Sequence, residues 1–213
     1  MQAWRSITSD REVLETVSGM PIPIEEMQHT NVSYPIDKKN DCQKEEEIKK
    51  LVSKGVLIEC EHEPGEVIFP TFLTPKSDGG HQFILNLKRL NSSIEKKKFK
   101  MHTLSSILCM IRPSMYMAKL NIKDVYYSIP IQSQHQKYLK MKNNNKLFKY
   151  TVLPNGYTEG PRKFTKVMKP PLATLRKEKI SIADYIDDLI TMSKSFNQCL
   201  LNVDRIVTLQ AIF

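Results

Sequence analysis

The sequence predicts an α+β fold, and three features of its patterning carry that prediction. β-rich runs and amphipathic stretches are mixed without the strict strand–helix–strand rhythm of a parallel sheet. Several strand-like runs are joined by short polar turns, as antiparallel hairpins are. Internal repeats and low-complexity tracts are absent from the sequence. At 213 residues with 40% hydrophobic content, the chain can bury a packed core as one large domain or two small ones.

Residues 1–43 show weak periodicity and carry the turn formers Pro21, Pro23, Pro35 and Asn40, so an irregular N-terminal extension, packed against something or partly disordered, is expected there. Lys44 to Lys54 reads as a short amphipathic helix with Ile48, Leu51 and Val52 on one face, closed by Gly55. Val67 to Thr74 is β-rich, the run from Lys76 to Gly80 is a turn, and Gln82 to Leu87 resumes as a strand, so the pair forms a hairpin. After a lysine-rich stretch, Thr103 to Ile111 reads as a helix and Met115 to Ile122 as a strand. Tyr138 to Met141 and Leu147 to Leu153 are two more strands, joined by the turn at Asn143-Asn144-Asn145. Pro161 opens a helix, as proline suits a first helical turn, and Pro170-Pro171 is expected to kink or interrupt it. A hairpin follows around Tyr185-Ile186-Asp187-Asp188, then a last helix from Asn197 to Gln210.

The formal net charge is +9, and it is unevenly placed. Residues 1–70 hold 8 Lys/Arg against 14 Asp/Glu, whereas residues 71–213 hold 24 against 9. A basic segment enclosing a few clustered acids is the footprint of a nucleic-acid enzyme, and a solvated lysine-rich surface would give the same count. The four cysteines are far apart and form no CxxC pair. Disulfides and a zinc site are therefore not expected, and Cys60 and His62 lack a second ligand pair at a suitable spacing. With no signal peptide and no apolar run of membrane-spanning length, the expected location is intracellular, cytoplasmic or nuclear.

Asp187 and Asp188 lie between the apolar runs Ile180–Ala183 and Leu189–Met192. An ionised carboxylate among apolar residues is costly unless it is paired or bound to metal. Two of them at the tip of one hairpin ask for a divalent cation, and so suggest phosphoryl transfer. Three other segments stand beside them in the sequence. Lys119-Leu120-Asn121-Ile122-Lys123-Asp124-Val125-Tyr126-Tyr127 runs from a strand into a polar turn. Leu153-Pro154-Asn155-Gly156-Tyr157-Thr158-Glu159-Gly160-Pro161 is a tight loop entering a helix. The turn from Lys76 to Gly80 leads on to Asn86-Leu87-Lys88-Arg89-Leu90-Asn91.

In this order the segments resemble the reverse transcriptase family over roughly residues 44–213, the turn matching its fingers and the others its palm motifs. Phe99-Lys100-Met101, the run Pro161 to Lys166, and Lys169-Pro170-Pro171-Leu172-Ala173 look most like DIRS-type retrotransposons. The resemblance implies a right-hand polymerase fold of fingers and palm, the palm an antiparallel sheet backed by helices. It also implies template-directed addition of deoxynucleotides to a primer 3′-hydroxyl on RNA or DNA. In the family this reaction uses two Mg²⁺ ions about 4 Å apart, with Mn²⁺ as the substitute. The thumb is expected to be absent, the chain ending before the primer grip, with thumb and RNase H on the full-length element protein.

By the same resemblance, Asp187 and Asp188 take two of three metal-carboxylate positions, and the third falls on Asn121. An amide oxygen can coordinate a hard cation only weakly, so this copy is expected to be impaired; its alternative is an inactive remnant that at most binds nucleic acid. Lys76, Asp124, Val125 and Tyr126 would surround the incoming nucleotide, with Tyr126 as the steric gate against a ribose 2′-hydroxyl. Gln82 stands where the family's fingers turn has an arginine, and a neutral amide cannot offer phosphate the same charged fork. Asn155 would lie near the nucleotide sugar and Tyr185 beside the primer. Lys163, Lys166 and Lys169 recur every three residues and so share roughly one helix face, which would follow template phosphates or form a solvated basic face, and Arg162 beside them would contact nucleic acid. Asp to Asn and Arg to Gln are each one G-to-A codon change, which suits a decayed or fragmentary copy, the other reading being a truncated gene model.

Overall fold

The computed structural model describes residues 1–23, 41–75 and 80–210, which form two compact units. One unit comprises Met1–Val17, Lys97–Val125 and Pro161–Phe213; the other comprises Ser18–Lys96 and Tyr126–Gly160. In chain order the helices are α1 (Gln2–Ile7), α2 (Arg11–Ser18), α3 (Asp41–Ser53), α4 (Lys88–Ser92), α5 (Leu104–Leu108), α6 (Gly160–Lys177) and α7 (Phe196–Gln210). The strands are β1 (Leu57–Cys60), β2 (Thr71–Pro75), β3 (His81–Leu85), β4 (Tyr116–Asn121), β5 (Lys140–Asn143), β6 (Lys146–Tyr150), β7 (Ser181–Tyr185) and β8 (Asp188–Ser193). The α+β expectation holds, with every strand pair antiparallel.

The first unit is built on the sheet β4-β8-β7. Side chains alternate across a strand, so its two faces have different compositions. Leu120, Ile182 and Leu189 fall on one face and join Leu172 and Leu175 of α6 and Ile206 and Leu209 of α7 in the core. Lys119, Asn121, Tyr185 and Asp188 fall on the other. That division is what lifts the polar residues out of the core while leaving their strands anchored in it.

Helix α6 runs unbroken from Gly160 to Lys177 through Pro170 and Pro171, so the expected interruption does not occur. The prolines lack N–H donors, but Phe164 and Val167 before them and Leu172 and Leu175 after them are all buried. Burial on both sides holds together a helix that local propensity would end.

The N-terminal residues pack against the rest of the unit, as one of the two expectations had it, but as the helices α1 and α2 and not as irregular chain. Asp10 caps α2 by accepting from the backbone N–H groups of Glu12 at 2.9 Å and Val13 at 3.2 Å. Trp4 and Val13 then pack against Val167 of α6.

In the second unit, β1-β6-β5 form one sheet and β2-β3 the expected hairpin. Asn144 (φ 44°) and Asn145 (φ 61°) make the two-residue connection of β5 to β6, where two positive φ angles match the strand twist. Strand β1, unanticipated, pairs Leu57 with Tyr150. The β-rich run is shorter than expected, as only Thr71–Pro75 pairs with β3; Val67 and Phe69 instead donate to the carbonyls of Lys137 and Lys140. In α3, Ile48 and Leu51 are buried as expected, but Val52 is exposed. The buried Lys140 ammonium contacts Glu66 at 2.7 Å, Glu63 at 2.9 Å and the Glu61 carbonyl at 2.8 Å. Burial alone would lower its pKa, yet Glu66 and Glu63 outweigh that and hold it raised. No helix among the described residues is long and apolar enough to cross a membrane.

Candidate active site

Strand register gathers the candidate acids. Asn121 on β4 pairs with Asp188 on β8, and Tyr185 on β7 pairs with the same Asp188. The two residues between β7 and β8 are therefore Ile186 and Asp187. Ile186 takes φ 54°, a left-handed conformation that a β-branched residue rarely adopts. The tip is pinned by the Ile122 N–H, which donates to the Asp187 carbonyl at 2.8 Å. A strained turn held by a neighbouring strand is a common setting for functional residues.

The Asn121 amide sits against both carboxylates. Its Nδ2 donates to Asp188 Oδ1 at 3.2 Å and to Asp187 Oδ2 at 3.5 Å. The Lys119 ammonium lies 3.0 Å from Asp188 Oδ2. These neighbours, the Asn121 amide first and Lys119 second, hold the Asp188 carboxyl below the usual aspartate range. A cavity of about 880 Å³ opens beside Asp188, lined by Phe99, Met101, Lys119, Tyr185 and Ile190 among others.

Asp124 takes φ 56° and is exposed just beyond β4, and Val125 after it is buried. Gln82, Tyr126 and Asn155 belong to the second unit. Gln82 is exposed on β3 opposite Thr74. Tyr126 is half-buried, and its ring lies 3.4 Å from where a Cβ on Gly160 would stand, an ordinary van der Waals distance. Asn155 Nδ2 donates to the Tyr127 hydroxyl at 3.3 Å. Lys76 lies outside the described residues.

The loop carrying Asn155 is braced by Asn91, whose Nδ2 donates to the Gly156 carbonyl at 2.8 Å while its Oδ1 accepts from the Thr158 N–H at 2.9 Å. Tyr185 is exposed.

Arg162, Lys163 and Lys166 of α6 converge on α2, whereas Lys169 is exposed. Glu12 Oε1 accepts from Arg162 at 3.2 Å and from Lys163 at 3.1 Å; Glu12 Oε2 accepts from Lys166, which also lies 3.4 Å from Asp10. Led by the Lys166 hydrogen bond, these cations pull the Glu12 carboxyl down to about 2. Sequence reasoning missed Glu12 and Lys119. The Ser9-Asp10 step before an amphipathic run signals α2, but nothing local signals which residues α2 would face.

An acid pair on a hairpin tip, facing a polar position on the adjoining strand of an antiparallel sheet backed by helices, is the arrangement of a polymerase palm. The family described as Reverse transcriptase (RNA-dependent DNA polymerase) matches residues 75–211. This chain belongs to that family. Similar proteins include the Transposon Tf2-3 polyprotein of Schizosaccharomyces pombe, 22% identical over 138 residues, covering 65% of this chain and 10% of the polyprotein. The Gag-Pol polyprotein of Walleye dermal sarcoma virus is 24% identical over 200 residues, covering 91% of this chain and 11% of its own length. A crystal structure of native prototype foamy virus protease-reverse transcriptase superposes with a TM-score of 0.69 at 21% identity, over 89% of this chain and 25% of that one. The fold is thus that of reverse transcriptase fingers and palm, and the chain spans about a tenth of the polyproteins it matches.

The family generally uses divalent metal ions. The donor set at the hairpin tip fits such an ion poorly. Asn121 turns N–H, not oxygen, toward the two carboxylates, and an ammonium contacts Asp188. Among the described residues, no three His, Cys, Asp or Glu are grouped to hold a metal.

Proposed function

We propose that this chain is the fingers and palm, residues 44–213, of a retroelement reverse transcriptase whose polymerase activity is impaired in this copy. The parent reaction is template-directed addition of deoxynucleotides to a primer 3′-hydroxyl by two-metal phosphoryl transfer. One observation carries the impairment: the position paired with Asp188 is Asn121, whose amide donates to the carboxylates where a third acid would share a cation. Mg²⁺, or Mn²⁺ in its place, is the cation class the site would take with an aspartate there.

On this reading Asp187 and Asp188 are the surviving acids. Lys76, Gln82, Asp124, Val125, Tyr126 and Asn155 serve the nucleotide, with Gln82 lacking the charge of the family's arginine. Tyr185 borders the primer, and Arg162, Lys163 and Lys166, which Glu12 and Asp10 engage, are candidate phosphate contacts only where that pairing is released. The fragment works with a thumb and an RNase H domain in a longer element protein, preceded here by residues 1–43. Its motifs favour a DIRS-type element, and a tyrosine recombinase frame in the same genomic element tests that assignment.

A second reading, an inactive remnant that binds nucleic acid, is favoured by the donors already lodged on Asp188. Primer extension in Mg²⁺ or Mn²⁺ separates the two, comparing the unaltered sequence with Asn121→Asp, each joined to the thumb of an intact relative. The impaired-polymerase reading predicts weak extension that the substitution raises. Full extension without the substitution contradicts impairment, and none with it favours the remnant.

A further inference from the structure

We propose that Lys119 is a positioning residue that keeps divalent cations off Asp188, so that Asn121→Asp alone reopens the acid site only in part. The inference rests on the reverse transcriptase reading and concerns a residue that the family motifs leave without a role. Lys119 lies two residues before Asn121 on β4, hence on the same face of the sheet. It pairs with Ile190, and its ammonium crosses diagonally to Asp188, the residue paired with Asn121.

Asp188 thereby has a side-chain donor on each carboxylate oxygen: Asn121 Nδ2 at 3.2 Å on Oδ1 and Lys119 Nζ at 3.0 Å on Oδ2. A hard cation needs oxygen lone pairs, and neither donor group offers one. The charge balance points the same way. Two carboxylates and one ammonium leave the cluster one net negative charge. Asn121→Asp adds one more, and removal of the Lys119 charge adds another of equal size at similar distance. An ordinary exposed ion pair does little for stability, but here the pair occupies the oxygen that a cation would need.

The Lys119 side chain is 63% exposed and Asp188 33%, so Lys119 can be replaced without opening the core. The test is Mn²⁺ binding by electron paramagnetic resonance on the full chain, which needs no turnover. The unaltered chain is compared with Lys119→Met, Asn121→Asp and the double variant, with Lys119→Gln as a second neutral replacement and Lys119→Arg as a charge-keeping control. In the Asn121→Asp background, Lys119→Met and Lys119→Gln are each expected to tighten Mn²⁺ about tenfold, the scale of partners that act on a metal ligand. Lys119→Arg is expected to leave the affinity where lysine has it. If Asn121→Asp gains Mn²⁺ and the neutral replacements add nothing, the Lys119 proposal falls while the family reading stands. If no variant binds Mn²⁺, the cation-site reading falls and takes this proposal with it.

Discussion

The hairpin tip and the α2–α6 contact solve opposite charge problems by the same means. At the tip, two carboxylates are met by an amide and an ammonium. On α6, three cations are met chiefly by one carboxylate, Glu12. The settings differ. Lys119 is mostly in water, whereas Arg162, Lys163 and Lys166 are only 15%, 20% and 30% exposed and adjoin the apolar contact of Trp4, Val13 and Val167. Neutralisation at the tip is therefore a light cover over a site, while neutralisation at α6 is part of how the N-terminal helices dock. Two regions with paired charges need not have the same relation to a ligand.

The largest expected effect tests the cover. Asn121→Asp should raise single-nucleotide incorporation by about 10²–10³ in a chain completed with a thumb, the scale of one well-placed electrostatic group. An unchanged rate would remove Asn121 as the main defect.

Next comes the docking of α1 and α2. Trp4→Ala should cost about 3 kcal/mol in chemical denaturation and speed amide exchange across residues 2–18. If exchange there stays slow, the charge cluster and not the apolar contact holds these helices.

Glu12→Gln isolates the charge cluster itself and should cost about 1–2 kcal/mol, discounted for its partial exposure. The Glu12 carboxyl is pulled from its ordinary 4.5 to about 2, so its contribution is whole above pH 4.5 and is lost as pH falls toward 2. The variant should lose that part of the acid dependence. A denaturation profile with the same slope between pH 4.5 and pH 2 in both proteins would contradict the pairing.

The smallest effect asks whether the α6 cations retain a second use. Freed by Glu12→Gln, they should steepen the salt dependence of single-stranded RNA binding by about one unit of log–log slope. An unchanged slope would leave them a docking role only.

What the sequence made legible follows the range of the interactions. The β7–β8 hairpin is written locally, in two apolar runs flanking Tyr185 to Asp188, and so is the Asn144-Asn145 turn, where both residues tolerate positive φ. Motif order singled out Asn121 as the third metal position by resemblance, but its place opposite Asp188 is a matter of strand register that motif order does not give. The continuity of α6 was not legible, because the proline rule is local and the burial of Leu172 and Leu175 is tertiary. Strand β1 was missed for a related reason: four residues carry little pattern, and its partner β6 lies some ninety residues on. Lys119 and Glu12 were invisible for want of register and packing. A diagonal contact exists only once β4 and β8 are aligned, and Glu12 reads as an ordinary helix-start acid until α2 is set on α6.

Both carboxylate oxygens of Asp188 are already met by the chain's own donors. That occupancy is tested most directly in a crystal of the unaltered protein soaked in Mn²⁺ and measured at the manganese absorption edge. No anomalous peak is expected between Asp187 and Asp188, with Asn121 Nδ2 and Lys119 Nζ both remaining on Asp188. A manganese peak ligated by both carboxylates, with Lys119 swung away, would contradict it.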